Sequence, residues 1–220
     1  KDFIRTKTHI NIILEYVENG SLQQVINQTG MLGEHLVYFF VKQILEGLDY
    51  LHSQGIIHRD IKGANLLLTK NGSIKLADFG YSIKLSEKEK KNSMVGTSFW
   101  MAPEIIEPIG NISSSCDIWS LGATIIQLLT TKPPYYEFDV VPALFRILTD
   151  ERPPIPENIS ENLMDFLKKC FNKDPLKRPT AKELLNHDWI TNPNKKIVKK
   201  IVNENDKILP QSIINEWKMN

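Results

Sequence analysis

Asp60, Lys62 and Asn65 sit within one short stretch, and Asp78-Phe79-Gly80 follows after two brief apolar runs. Carboxylate and amide oxygens of this kind can hold magnesium on a triphosphate, while another carboxylate receives the proton of an attacking hydroxyl. Lys62 supplies positive charge close to the transferred group. Phosphoryl transfer is therefore the chemistry these residue types suit, provided the chain brings positions 60, 65 and 78 together.

The surrounding pattern supplies elements able to do so. Residues 34–53 carry apolar side chains at Val37, Phe40, Val41, Ile44, Leu45, Leu48 and Leu51, the stripe of an amphipathic helix that Gly55 stops. Strands are expected over 65–68 and 73–76, joined at Asn71-Gly72, a hairpin signal. Asp60 and Asn65 then lie on the loop between helix and hairpin, and Asp78 follows the hairpin. Upstream, residues 8–17 read as one β-strand closed by Asn19-Gly20. Downstream, 82–92 is a charged loop and 117–129 is apolar nearly all round, a buried central helix. A short helix opening at Pro142, an amphipathic helix over 161–171, and a last one begun by the capping box Thr180-Ala181-Lys182-Glu183 and running to about residue 189 complete the body. A little β precedes mostly α, so the fold class is α+β.

Composition narrows the partners. The chain has 220 residues, 41% of them hydrophobic, with 27 Lys and Arg against 26 Asp and Glu, for a net charge of +1. No global field draws it to nucleic acid or an anionic membrane, so no nucleic-acid partner is expected. Cys116 and Cys170 form neither a disulfide framework nor a metal-type pair, which fits a reducing compartment. There is no transmembrane-length apolar run and no signal-type N-terminus, and a soluble, cytoplasmic protein is expected. The first residue is Lys1, which suggests that the natural polypeptide extends upstream.

Three motifs in order and register, His58-Arg59-Asp60 through Asn65, Asp78-Phe79-Gly80 and Ala102-Pro103-Glu104, resemble the signature of the eukaryotic protein kinase family over about residues 7–190. The resemblance implies ATP and Mg2+ as cofactors. It implies a kinase-like fold, mainly the helical C-lobe with the last strands of the N-lobe. Residues 1–20 would be the end of the N-lobe sheet and the hinge, 21–190 the C-lobe, with the activation segment at 78–104, and 191–220 a tail. By the same resemblance Asp60 orients the substrate hydroxyl and accepts its proton, Lys62 steadies the γ-phosphate, Asn65 and Asp78 bind magnesium, and Thr97 contacts Asp60 and Lys62. Leu14 is the gatekeeper, Glu15 and Val17 read adenine through their main chain, Leu67 lies under the ring, and Ser21 borders the site. His58 is structural, packing under the loop. Asp117 anchors the catalytic loop, and Glu104 pairs with Arg178. Arg59 awaits a phosphate on the activation segment, for which Ser93 is the acceptor best placed.

Lys62 two positions after Asp60 is the serine/threonine pattern. The strings Asp60-Ile61-Lys62-Gly63-Ala64-Asn65 and Gly96-Thr97-Ser98-Phe99-Trp100-Met101 are similar to the sterile-type group. Pro133-Pro134-Tyr135-Tyr136 with Pro142-Ala143-Leu144-Phe145-Arg146-Ile147 is nearer to septation-network kinases and their MAP kinase kinase kinase relatives. Ser98 departs from the proline usual in that group. Protein substrates follow, downstream kinases among them, with an upstream activator or scaffold. Positions 21, 64 and 127, acidic in kinases that favour upstream arginine, are Ser, Ala and Gln, so no strong arginine requirement is expected.

The glycine-rich loop, strand lysine and helix glutamate of the family have no counterpart in these 220 residues. The chain accordingly reads as a fragment, inactive by itself, whose first strand would be an orphan with an exposed edge. The competing reading is a pseudokinase or scaffold lobe that binds partners without catalysis. The tail alternates Lys195-Lys196 and Lys199-Lys200 with Ile197-Val198 and Ile201-Val202, a basic amphipathic pattern that packs on its own domain, links to another, or meets a membrane surface or partner.

Overall fold

The structure, a computed structural model, describes residues 2–84, 96–107 and 112–192. Its framework is three long helices. Helix α2 (Glu34–Ser53) buries the whole predicted stripe, and α4 (Ser115–Thr130) is buried along nearly its entire length. Helix α6 (Glu161–Cys170) packs on α4, with the Trp119 and Phe171 ring centroids 5.2 Å apart, edge to face. Each fully buried Leu, Ile or Phe in this core contributes about 1.5–3 kcal/mol.

Shorter elements complete the body. Strands β1 (Asp2–Arg5) and β2 (Ile10–Ile13) pair antiparallel, Phe3 opposite Ile12. The strand expected over 8–17 is thus shorter, and it is not an orphan. The turn before it is tied by Thr6, whose Oγ1 accepts from the His9 N–H at 2.9 Å. Both strands nonetheless leave Phe3, Ile4, Ile10, Ile12 and Ile13 exposed. Helix α1 (Leu22–Thr29) was absent from the periodicity reading. Its capping box, Ser21 with Gln24, precedes the buried pair Val25 and Ile26. Strand β3 (Ile56–Ile57) pairs with β6 (Ile83–Lys84), while β4 (Leu66–Leu68) and β5 (Ile74–Leu76) form the expected hairpin, Leu67 opposite Lys75.

Helix α3 (Pro103–Ile106) follows the Ala102-Pro103-Glu104 motif, and α5 (Val140–Thr149) starts two residues before Pro142, behind Asp139. The last expected helix is divided. Helix α7 (Ala181–Leu185) has the predicted capping box, but His187 takes an extended conformation and caps α8 (Asp188–Thr191) through its side chain. That break lets Trp189 turn inward, 4.8 Å from Phe166 between ring centroids.

Glu34 joins three of these elements. Its carboxylate accepts from the Ser160 N–H and hydroxyl at 2.9 and 2.5 Å and from Trp189 Nε1 at 3.0 Å. A close helix approach is made at Gly122 of α4, where a Cβ would stand 2.9 Å from the Phe171 ring and 3.0 Å from Cys170 Cβ. Alanine has the better helix propensity by about 1 kcal/mol, whereas overpacking a tight core costs about 1–3 kcal/mol. We expect Gly122→Ala to lower the midpoint of urea unfolding, and an unchanged or raised midpoint would show that Phe171 yields.

Candidate active site

The site begins with a buried carboxylate on α4. Asp117, in the first turn of α4, is fully buried. Its Oδ2 accepts from the His58 N–H at 2.9 Å and its Oδ1 from the Arg59 N–H at 2.8 Å, with His52 Nε2 a further 2.8 Å from Oδ2. A buried charge without partners is penalised by several kcal/mol, so these donors are conditions of its burial. They also hold Arg59 at φ 67°, left-handed backbone that costs a non-glycine residue about 1–3 kcal/mol.

Three more polar residues of α4 continue the work, at positions that share one helix face with 117. Ser120 donates to the Trp100 carbonyl at 2.8 Å, and Thr124 to the Ile61 carbonyl at 3.3 Å. Gln127 Oε1 accepts from the Gly63 N–H at 3.0 Å, while its amide donates to Gln23 of α1. The sequence reading found Asp117 as the one charge on this helix but missed Ser120 and Thr124, and weighed Gln127 only as a substrate-facing position. The 117, 120, 124, 127 spacing of polar residues was the available signal. His52, the next-to-last residue of α2, had none.

On this rack the loop places Asp60, only 2% exposed. Thr97 Oγ1 donates to Asp60 Oδ1 at 2.7 Å, Lys62 Nζ lies 2.8 Å from Oδ2, and Lys62 also donates to Thr97 Oγ1 at 2.6 Å. Asp60, Lys62 and Thr97 thus close a ring. Burial pushes the Asp60 pKa up, but the hydrogen bonds from Lys62 and Thr97, the Lys62 charge and the Asn65 amide outweigh it, and the net shift is downward. Asp60 is therefore a carboxylate at neutral pH.

Asn65 spends its amide nitrogen on Asp60, donating to the main-chain carbonyl and to Oδ2, both at 2.8 Å. Because those partners only accept, the orientation of the amide is fixed, and Oδ1 is left as an acceptor that no described hydrogen bond uses. The Asn65 carbonyl accepts from the Ala77 N–H at 2.9 Å, so Asp78 follows directly on a residue bonded to Asn65. Asp78 stands at φ 61° with its carboxylate exposed, its Oδ1 accepting from the Gly80 N–H at 3.3 Å. It lies outside the Asp60 ring.

His58 is fully buried, its Nδ1 accepting from the Asp60 N–H at 3.3 Å and its Nε2 donating to the Ala77 carbonyl at 3.1 Å. Both nitrogens are thereby occupied by main chain. Arg59 Nε donates to the Tyr81 carbonyl at 2.6 Å, while its buried NH1 has no partner among the described residues. Burial lowers the Arg59 pKa, opposed by the charge of Asp117. Gly96 is required where its segment crosses Arg59, for at φ 133° a Cβ would lie 2.9 Å from the Arg59 carbonyl. Ser93 lies outside the described residues. Beyond Gly96, Arg178 grips Glu104 with both terminal nitrogens, at 2.7 and 3.0 Å, and donates to the Ser115 and Asn172 carbonyls.

The residues assigned to adenine form a second group. The Asn19 N–H donates to the Leu68 carbonyl at 3.2 Å and the Leu68 N–H to Gly20 at 2.8 Å, with a β-bridge from Ser21 to Leu67. This pairing brings the segment after β2 alongside half-buried Leu67. Leu14 is exposed, the Glu15 carboxylate pairs with Lys75 at 2.7 Å, and half-buried Val17 accepts from Gly20 through its carbonyl while its N–H meets no described partner. The Ser21 hydroxyl is engaged as the cap of α1.

The chain is similar to known proteins over most of its length. The protein kinase domain matches residues 1–190. Among curated proteins, MAP3K epsilon protein kinase 1 of Brassica napus is 56% identical over 192 residues, 86% of this chain and 15% of that protein. Cytokinesis protein sepH of Aspergillus terreus is 49% identical over 210 residues, 96% and 15% of the respective chains. A probable serine/threonine-protein kinase of Dictyostelium discoideum is 52% identical over 185 residues, 84% and 37%. The chain thus spans about 15% of the length of the first two relatives. Their names fall in the two groups that the motif strings resemble.

The lowered Asp60 pKa has a consequence for stability. A carboxylate whose pKa is depressed on folding stabilises the native state above its unfolded-state value, near pH 4, and loses that contribution as pH falls through the native value. Asp60→Asn should therefore flatten the acid limb of the stability curve below about pH 5. Urea titrations at successive pH values measure this, and parallel acid limbs in both proteins would count against the ring.

Proposed function

The chain belongs to the protein kinase family, and from that premise we propose that the protein containing it transfers the γ-phosphate of ATP to serine or threonine hydroxyls of other proteins. The observation carrying this reading is the closed ring of Asp60, Lys62 and Thr97, which supports an ionised, oriented carboxylate at the reacting position. The family uses ATP and Mg2+. The residues present suit the metal: magnesium takes one or two protein oxygens beside substrate phosphates, and the unused Asn65 Oδ1 with the exposed Asp78 carboxylate would provide them. When bound, it would neutralise charge on the phosphates.

The remaining steps belong to the chain itself. Asp60 Oδ2 accepts from both Lys62 and Asn65, whereas Oδ1 accepts only from Thr97. Oδ1 therefore keeps room for a second donor. A substrate hydroxyl donating there is aligned for attack and gives up its proton to the same oxygen. Lys62 stays beside the group and balances charge. Leu14, Glu15, Val17 and Leu67 border the base, the unpartnered Val17 N–H suiting a ring acceptor, and Ser21 flanks the ribose side. With the Ser21 hydroxyl held as a cap and Gln127 as an anchor, neither position supplies a carboxylate for an upstream arginine.

The glycine-rich loop and its lysine are not among these 220 residues, so transfer requires the part of the protein that carries them. The exposed apolar faces of β1 and β2 are surfaces such a part would cover. A pseudokinase reading has less support, because the acid, the lysine and both candidate metal ligands are present. No described helix is long and apolar enough to cross a membrane, and we place the enzyme in cytoplasmic signalling, with downstream kinases as substrates and an activator or scaffold upstream.

Radiolabelled γ-phosphate transfer by the complete protein tests the assignment. Asp60→Asn should lower kcat on the order of a hundred- to ten-thousand-fold, and an undiminished rate would remove Asp60 from the chemistry. The buried, unpartnered Arg59 NH1 supports regulation by a phosphate on Ser93. Ser93→Ala should lower turnover of the activated enzyme, and equal turnover would end that reading.

A further inference from the structure

Away from the active site, a groove of about 620 Å³ runs between the start of α2, the end of α4 and the loop before α6. Its apolar wall includes Met31, Leu32, Leu129, Pro156 and Ile159, and Met31 is 69% exposed. Two carboxylates, Glu34 and Glu157, lie on its lining, with neither Lys nor Arg. Such a volume lies within the range of sites that hold a ligand. Nothing in the phosphotransfer reading uses it.

The end of the described chain lies at this groove. Trp189 of α8 donates to Glu34, and Tyr38 donates to the Ile190 carbonyl at 3.2 Å, so α8 is fastened to the groove wall. Residues 193–220 continue from there, ample length to reach it. Their sequence has six lysines against three acids, and it sets Ile197, Val198, Ile201 and Val202 between lysine pairs. Spaced by four, these apolar residues fall on one face of a helix, and the lysines on another. A basic amphipathic segment thus leaves the body beside an apolar groove lined by carboxylates.

We propose that residues 193–220 dock intramolecularly in this groove, with the apolar face about Ile197 and Ile201 against Met31, Leu129 and Ile159 and the lysines facing Glu157 and Glu34. This mode is that of an amphipathic helix laid in a hydrophobic groove. Supplied by the same chain, the helix acts at the high effective concentration of a short tether.

Hydrogen exchange of the intact protein, compared with a variant lacking residues 193–220, tests the proposal. Removal should speed exchange several-fold at 31–35 and 156–159 and leave the catalytic loop at 58–65 unchanged. Because truncation could perturb folding, Met31→Lys is the second arm: the substituted side chain is exposed, so the melting temperature should hold while tryptic cleavage after Lys199 and Lys200 accelerates. Equal exchange with and without the tail overturns the proposal. So does protection lost on dilution, which would place the tail on a second copy, or tail protection appearing only with anionic vesicles.

Discussion

The geometry of the candidate active site rests on one buried carboxylate that lies outside the ring of Asp60, Lys62 and Thr97. Asp117 accepts hydrogen bonds from two consecutive main-chain N–H groups, and this forces the left-handed turn at Arg59. Desolvating a charge is so unfavourable that it stays buried only with donors in place. The strained backbone needs the acceptor and the acceptor needs the backbone, so each enforces the other. Thr124 and Gln127 extend the same hold along one stripe of α4, so the loop that presents Asp60 is fixed to the most deeply packed helix of the described structure, while Ser120 on that stripe ties down Trp100.

A second tie acts from the other side. Arg178 and Glu104 form a bidentate pair, and two of the three remaining guanidinium hydrogens go to the main-chain carbonyls of Ser115 and Asn172. The planar fork of arginine suits this geometry. Its effect is to bind α3, at the Ala102-Pro103-Glu104 motif, to the segment before α7, far along the chain. Hydrophobic packing sets the distance between helices, and these buried polar contacts set which loop sits where.

Much of this was legible in the sequence, and the reasons differ by element. Helix α2 is amphipathic over twenty residues, so its period is long enough to be unambiguous. The hairpin of β4 and β5 has a turn signal between two apolar runs. Helix α1 is only eight residues, and its capping box at Ser21 and Gln24 was the sole strong sign. Strand β1 has two apolar residues and is defined by its partner β2, a non-local fact. The break between α7 and α8 depends on His187 leaving the helix to cap the next, which turns Trp189 towards Glu34 and Phe166. Tertiary contact decides there, and periodicity cannot. In the candidate site, motif spacing singles out Asp60, Lys62 and Thr97, which the fold brings together, whereas Ser120 and Thr124 are modest polar residues whose contacts appear only once the neighbouring segments are laid against α4.

The division of labour between ring and rack bears on how such a site is switched. Asp117, Thr124 and Gln127 lie on α4, and none depends on the segment that carries Thr97. The ring is different, because Thr97 provides one of the donors on Asp60 and receives one from Lys62. The loop can therefore be correctly held while the acid is incompletely furnished. Next to Thr97 the segment passes close over the Arg59 carbonyl, and glycine at position 96 is what allows that approach. Arg59 sits at the same crossing, its backbone fixed by Asp117 and one buried guanidinium nitrogen unsatisfied. An anion supplied there would relieve the unpaired donor and hold the neighbouring segment by the same contact. Thr97 joins that segment to Asp60 by a direct hydrogen bond, while Asp117, Thr124 and Gln127 hold the loop from α4.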